Sequence, residues 1–554
     1  MKARTTNERN LDINLLAETS WEVCNKIGGI YTVLSTKAVE LKKIFDDRLV
    51  FIGPDFPGNE DASGLFTERK TLLKNFTKRV LPYGLKARVG RWNIPGSPLV
   101  ILVDFKPIFP HLNEFYGQMW EHFHVDSLHA YGDYDESCAF AIAASIVIKE
   151  LASHLKYDPS KVIGHFNEWT TGMGLLHLKL NMPEAATVFT THATTIGRSI
   201  CGNGKPLYQY FANYNGDQMA SELNVESKHS LEKAAAMNAD CFTTVSDVTA
   251  RECEQLLGLR PQVVTPNGFE PSFVPDSGKW HKLRGKGRRR LLQIASFLYG
   301  ETLSPDTFIV ATSGRNEYRN KGIDLYLDSL TRLAQKLDGK RKVLALVLVP
   351  AWVDQPFGDL LVNIDFGGWL KPDPDYLTHR LHNEDSDPAA CHIRRMKHEL
   401  KERNLSDKVI PVFIPSYLDG FDGIVDISYY DLLPAIDLSI FCSYYEPWGY
   451  TPLESIAFGV PTITTDKAGF GQWAQEIGAV TLAKDGVMVI NREDTNYGDN
   501  VEQISDTVRE FMNLDPKEKA NVPAASMKTA EKAEWRFFIS KYMEAFKLAL
   551  NHKE

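Results

Sequence analysis

Three observations predict an α/β fold of two domains, each built on a parallel sheet. Short β-branched runs alternate with helix-start signals from the N-terminus to Gln262–Thr265, and strand–helix alternation specifies parallel pairing. A break follows at Thr265-Pro266-Asn267-Gly268 and continues as a Pro-, Gly- and Arg-rich segment to Arg290, which puts a boundary near Pro271. The alternation then restarts at Phe308–Thr312. The expected division is residues 1–271, 272–532 and a C-terminal helix over 533–554. With 554 residues and 43% apolar content the chain can bury large cores.

Leu11–Leu16 reads as the first strand, followed by a turn at Lys26–Gly29, an amphipathic helix Ile30–Phe45 and a strand Arg48–Gly53. Gly28 and Gly29 let backbone approach a ligand closely at a helix start, and Lys26 adds a charge there. Alone, such a pair most often only turns the chain. Phe56–Pro110 has no regular pattern. His122 and His124 lack a third ligand, so no metal is expected there. Asp133/Asp135 and Asp373/Asp375 match an Asp-x-Asp pattern but follow no clean strand, and they are discounted. Val162–Phe166, Thr187–Thr191, Cys241–Val245 and Gln262–Thr265 read as strands, and Ser246 starts a helix Asp247–Leu257. His165, Glu168 and Trp169 follow the first of these, and His192 and Arg198 follow the second. A lone His after a strand is more often structural than a ligand contact.

Arg284–Arg290 reads as a solvated basic face. Beyond Phe308–Thr312, Arg315 and Lys321 flank the start of a helix Ile323–Leu337. Two cations beside a helix N-terminus suit a diphosphate, although solvent exposure is the commonest fate of either residue. Lys342–Val349 and Val409–Ile414 supply further strands. Phe441–Gly471 then combines polar chemistry with a complete strand, loop, helix and strand. A strand Asp437–Cys442 leads into a loop carrying Tyr445, Glu446, Trp448, Gly449 and Tyr450. Thr451 reads as N-cap and Pro452 as the first residue of a helix to Phe458, with Glu454 in its first turn and a strand at Thr462–Thr465. Thr451-x-x-Glu454 is equally a capping box, which would leave Glu454 no ligand. In the tail, Trp535, Phe538, Ile539, Tyr542, Phe546 and Leu550 recur at helical spacing.

A net charge of −9 argues against nucleic acid or an anionic membrane as partner and leaves a neutral or sugar-like one. Seven scattered cysteines without a CxxC point to reduced thiols, hence a cytoplasmic protein. The start MKARTTNERNLDINLL contains no apolar signal core, and the longest apolar run, Ala139–Ile148, is too short to span a bilayer.

Several words resemble the glycogen synthase family of the animal and yeast type: EPWGYTPLE, GVPTITT and GFG, NKIGGIYTVLSTKA, and HFNEW, TTHATTIGR and GRNEYRNKG beside the family's HFHEW, TTHATLLGR and GRYEFSNKG. The resemblance covers nearly the whole chain. It implies two facing Rossmann-like domains (the GT-B type) with a deep cleft that closes over the donor, and a last helix that returns to the N-terminal domain. It further implies retaining transfer of glucose from uridine diphosphate glucose to the 4-hydroxyl end of glycogen or another α-1,4-glucan, with no cofactor and no metal. In that reading His192 borders the glucose. Arg198, Arg315 and Lys321 hold the diphosphate, Tyr429 stacks on the base, and Glu446 orients the sugar hydroxyls. Glu454 lies by the ribose, and Lys26, Gly28, Gly29, His165, Glu168, Trp169, Asn267, Tyr445, Trp448, Gly449, Tyr450 and Thr451 line the substrates.

Two features depart from the family in ways that bear on regulation. Asn513–Glu534 matches the arginine-rich helix that senses glucose 6-phosphate but contains no Arg, so no strong activation is expected. Ala351–Arg380 is short where the family carries an insertion used in assembly, so a homo-oligomer stays open. Asn167 also replaces a family His. A glucan phosphorylase, another nucleotide-sugar transferase (adenosine diphosphate glucose or sucrose-type) and a non-catalytic glucan-binding protein remain as alternatives.

Overall fold

The computed structural model describes residues 11–56, 64–367, 371–372, 374–479 and 481–553. They form two compact units, one of the chain up to Glu270 with the tail from Glu534, the other Pro271–Ala533.

The first unit is built on a nine-stranded sheet: β1 (Leu15–Thr19), β2 (Leu49–Pro54), β3 (Phe66–Glu68), β4 (Lys86–Trp92), β5 (Leu99–Asp104), β6 (Val162–Asn167), β7 (Ala186–Thr191), β8 (Cys241–Thr244) and β9 (Val263–Val264). The spatial order is β3-β4-β5-β2-β1-β6-β7-β8-β9. All pairs are parallel except those of β4. From β1 the chain steps to β2 and then to the edge strand β3, returns inward through β4 to β5 beside β2, and crosses to β6 on the other side of β1. The sheet therefore reverses its order between β1 and β6, and in such sheets ligands bind at the carboxyl ends of the strands beside that point.

Several expectations change here. The first strand is Leu15–Thr19, not Leu11–Leu16, and all five residues are buried, including Glu18 and Thr19. The segment Phe56–Pro110, which showed no pattern, contributes β3, β4 and β5. The apolar run at Ala139–Ile148 is the middle of a 22-residue helix, Tyr134–Leu155. That helix is long and apolar enough to cross a membrane, but 72% of its apolar window is buried inside the protein. It lies in the core with Phe140, Ile142 and Val147 fully enclosed. The tail forms a helix, Trp535–Asn551, that buries Trp535, Ile539, Tyr542 and Phe546, with Phe538 and Leu550 half-buried. Trp535 donates its indole N–H to Thr36 Oγ1 at 2.7 Å. A Cβ on Gly268 would lie 2.6 Å from the Trp535 ring, so the backbone passes where only glycine fits.

The second unit has six parallel strands in the order β14-β11-β10-β15-β16-β17. They are β10 (Phe308–Ser313), β11 (Val343–Leu348), β14 (Val409–Ile414), β15 (Leu438–Ile440), β16 (Thr462–Thr465) and β17 (Val487–Ile490). An antiparallel pair of β12 (Val353–Pro356) and β13 (His379–Leu381) forms a separate small sheet. Order reverses between β10 and β15. The Pro-, Gly- and Arg-rich segment before β10 is a 23-residue helix, Ser277–Tyr299. Its Arg run is not a solvated face. Arg284 and Arg288 clamp Asp437 at 2.6 and 2.8 Å and donate to the carbonyls of Pro434, Ala435 and Thr307. Burial opposes the Asp437 charge, but the two guanidiniums outweigh it and hold the carboxyl below its usual range.

Candidate functional site

At the switch point of the first unit, β1 and β6 pair with Glu18 opposite His165. Glu18 is fully buried, and its Oε1 accepts from Lys37 Nζ at 2.6 Å and from Asn167 Nδ2 at 3.2 Å. His165 Nδ1 lies 3.2 Å from the same oxygen. Burial opposes the Glu18 charge, yet His165 and Lys37 together hold the carboxyl far below the carboxylate range. Lys37 also sits 4.1 Å from the centre of the Tyr542 ring, so the tail helix covers it. His165 is a member of this network rather than an open contact, with Nε2 2.7 Å from Thr190 Oγ1. Next along, Asn167 joins Glu18 to His192, whose Nε2 lies 3.1 Å from Asn167 Oδ1. Burial, followed by Lys37 and His165, pushes His192 down to about 3, so its ring is neutral.

The loop 191–198 is held from behind by three carboxylates. Glu168 Oε1 accepts from the backbone N–H of His192 and of Ala193, both at 3.0 Å. Glu232 accepts from Thr195 N at 2.8 Å and pairs with Thr191 Oγ1 at 3.1 Å, and Thr194 Oγ1 bonds Glu252. Thr194 also caps the helix Thr195–Gly202, which exposes Arg198. Glu168 thus serves the loop, at the cost of a left-handed φ of 70°. Trp169 stacks on Tyr134 at 6.1 Å beneath Lys228. Asn267 is buried, and its Oδ1 has no protein partner among the described residues.

Burial and the neighbouring Glu168 push Glu232 up to about 8 from its ordinary 4.5. Because the folded value is the higher one, the stability it contributes is present below about pH 4.5 and is lost as pH rises through about 8. We expect Glu232→Gln, which keeps both hydrogen bonds, to flatten that loss. Thermal midpoints of both proteins from pH 5 to 8.5 check it, and parallel curves would refute it.

At the N-terminus of the helix Gly29–Phe45 the protein supplies an acceptor of its own. Glu22 Oε2 accepts from Gly28 N at 2.9 Å and Tyr31 N at 2.7 Å, so the glycines bring backbone to Glu22. Lys26 stands 5.9 Å from the Tyr31 ring.

In the second unit the switch point gathers the predicted residues. Lys321 Nζ bonds Glu446 Oε2 across 125 positions of sequence. Arg315 leaves β10, is 56% exposed and meets Glu317 at 3.0 Å. Gly322, with φ 68°, precedes the helix Ile323–Lys336, and a Cβ there would lie 1.9 Å from the Cys442 carbonyl. Backbone of this turn is therefore pressed against the strand end that leads to Glu446. The backbone N–H groups of Tyr444 and Tyr445 donate to Asn320 O at 2.8 and 3.1 Å, fixing one loop on the other. Tyr429 donates to or accepts from Ser313 Oγ at 2.8 Å.

Three details of the motif are corrected. The helix runs Tyr450–Ala457 with Gly449, at φ 105°, as N-cap, so Thr451 caps nothing and Pro452 is not its first residue. Glu454 consequently lies in the second turn and the capping box does not form. Its carboxylate instead accepts from the Tyr430 hydroxyl at 2.7 Å. Tyr445 and Trp448 are buried at 4% each. Glycine suits position 449 because φ 105° strains any other residue, and a Cβ there would also crowd Glu446 Cγ at 3.3 Å.

Lys37, Glu232, Glu252 and Tyr430 were not singled out by sequence reasoning, and Glu18 was read outside its strand. One signal was available: Lys37 shares its helical face with Val33, Leu34 and Leu41, a cation on an apolar stripe. Among the described residues no group of three or more His, Cys, Asp or Glu side chains is placed to hold a metal. Asp135 bonds Tyr116, Asp133 bonds Lys228, and Asp375 is held by Lys371 and Lys397. Asp373 lies outside the described residues.

The chain matches the family model described as "Glycogen synthase" over residues 18–357 and 371–553. It is 28% identical to the glycogen [starch] synthase of Neurospora crassa, covering 98% of this chain and 84% of that protein. It is likewise 28% identical to glycogen [starch] synthase isoform 1 of Saccharomyces cerevisiae, with 98% and 86% covered. Among solved structures it is similar to the catalytic domain of starch synthase IV from Arabidopsis thaliana, bound to ADP and acarbose. That likeness has a TM-score of 0.59 at 14% identity over 98% of this chain and all of that one (100%). Sucrose-phosphate synthase from Thermosynechococcus elongatus gives 0.51 at 13% identity, with 96% and 98% covered. These neighbours are glycosyltransferases of the GT-B fold.

Proposed function

The chain belongs to the glycogen synthase family, and from that premise we propose that it transfers glucose from uridine diphosphate glucose to the non-reducing 4-hydroxyl end of an α-1,4-glucan, with retention and without a metal ion. The observation that carries this reading is the pairing of Lys321 with Glu446 at the β10/β15 switch point, with Arg315 beside it. When C1–O(phosphate) breaks, negative charge grows on the diphosphate, and Arg315 and Lys321 are the cations that stabilise it. The C1–O4 bond forms on the same face, and the proton of the acceptor hydroxyl passes to the departing phosphate oxygen. Glu446 then orients glucose hydroxyls and opposes the positive character at C1, rather than attacking it. His192 contacts the transferred sugar, and Glu454, steadied by Tyr430, takes the ribose side.

The helix Pro516–Ala530, which matches the family's effector-sensing segment, carries Lys517, Lys519 and Lys528 but no Arg. Lys519 is turned inward, 4.9 Å from the Phe308 ring and 5.4 Å from that of Phe511. We therefore expect glucose 6-phosphate to leave the rate essentially unchanged. The deciding assay is glucose transfer to glycogen from uridine and adenosine diphosphate glucose in EDTA, with and without glucose 6-phosphate. Transfer from the uridine sugar that ignores both additions supports the proposal. Transfer from the adenosine sugar alone corrects the donor. No transfer, with the nucleotide still bound, favours the binding-protein alternative.

A further inference from the structure

Position 167, where this chain has Asn instead of the family's His, has a definite role in the hydrogen-bond network of the first unit. Asn167 is 1% exposed. Its two ends are assigned by their partners. On one side stand Glu18 Oε1 and the Thr19 carbonyl, each 3.2 Å away. Both are acceptors only, since Glu18 is held ionised, so the side-chain NH2 must face them. The amide oxygen is thereby turned to His192 Nε2 at 3.1 Å. An amide oxygen can only accept, so Nε2 carries the proton. With the ring neutral, Nδ1 is left as a lone-pair acceptor, and it makes no hydrogen bond to the protein among the described residues.

We propose that Asn167 is a positioning residue that fixes the tautomer of His192, presenting Nδ1 as a hydrogen-bond acceptor to a substrate hydroxyl. Three features of the fold make the assignment robust. The Glu18 carboxylate that orients the amide is held by Lys37 at 2.6 Å, and the tail helix covers Lys37 with Tyr542. The His192 backbone is pinned separately by Glu168. The charged and titratable groups around the ring are Lys37, His165 and Glu18, none of which offers a second acceptor to Nε2. A side chain at 167 must therefore donate toward Glu18 and accept from His192 at once. Asn does so with its two amide ends, and a neutral imidazole can do the same with its two nitrogens, so the position accepts either residue for one physical reason.

The inference rests on the proposed function for the substrate it names, but its test does not. Full-length protein labelled with 15N-histidine, with His192→Gln used to assign the signal, reports the tautomer directly. We expect a neutral Nε2–H ring in the wild type from pH 5.5 to 8. Asn167→Ala should lose that single tautomer and lower kcat by about tenfold to a hundredfold, with the donor dissociation constant little changed. Asn167→His should restore both the Nε2–H signal and most of kcat. An Nδ1–H ring in the wild type, an unchanged signal in Asn167→Ala, or failure of Asn167→His to restore the tautomer would each overturn the proposal. If the wild type transfers no glucose from any nucleotide sugar, the proposed function fails, and the tautomer assignment is still decided by the spectra.

Discussion

Glu446→Ala lowers kcat for glucose transfer by about a hundredfold to a thousandfold while the thermal midpoint stays within a few degrees of wild type. The two halves of this expectation have separate causes. Glu446 is the only carboxylate that the described structure places on Lys321, and the pair sits where β10 and β15 part. Removing it deletes the group that would orient the sugar and leaves Lys321 without its counterion. The fold does not depend on that carboxylate, because position 446 is held by backbone. Its carbonyl accepts from Gly469 N at 3.2 Å, and it bridges to Ala468. The ion pair is also partly solvated, with side-chain exposures of 14% and 13%, so its loss costs on the order of 1 kcal/mol. Steady-state kinetics with uridine diphosphate glucose, alongside calorimetry, checks both halves. Near-normal turnover would remove Glu446 from the mechanism, and a large drop in midpoint would recast it as structural. Glu446→Gln, which keeps shape and hydrogen bonding but not charge, should fall between the two.

The largest effect on stability is expected from Lys37→Met, a loss of about 3–5 kcal/mol. Both members of the Glu18–Lys37 pair have side-chain exposures of 0%, so removing the ammonium strands an ionised carboxylate in the core. Glu18→Gln added to Lys37→Met should recover most of the loss, because the uncompensated charge rather than the missing attraction is the cost. Urea unfolding of the two single variants and the double variant gives the coupling directly. Additive losses would show that the two side chains act independently. Since Asn167 takes its orientation from Glu18, the double variant is also expected to turn over slowly even where it is well folded.

Strand–helix alternation, the loop that carries Gly449, and the strands Val409–Ile414 and Thr462–Thr465 were legible, because these are local properties of backbone and pattern. The helix over Ser277–Tyr299 was not, since three glycines and a cluster of basic residues read as loop until Asp437 supplies the counter-charge. The first strand was misplaced for a related reason. Glu18 looks like the polar end of an apolar run, and only Lys37 and His165 explain why it continues inward.

The family words, the alternation that demands parallel sheets, and Arg315 and Lys321 as cations flanking a helix start could be read from the chain alone, because motif spacing and propensity act over a few residues. Which charges face each other depended on the fold. It brought Lys321 to Glu446, Asn167 between Glu18 and His192, three carboxylates behind the loop 191–198, and Tyr430 rather than a capping box onto Glu454. These pairings join residues 24 to 149 positions apart, and the cost of burying a charge is met only by the particular partner that folding delivers.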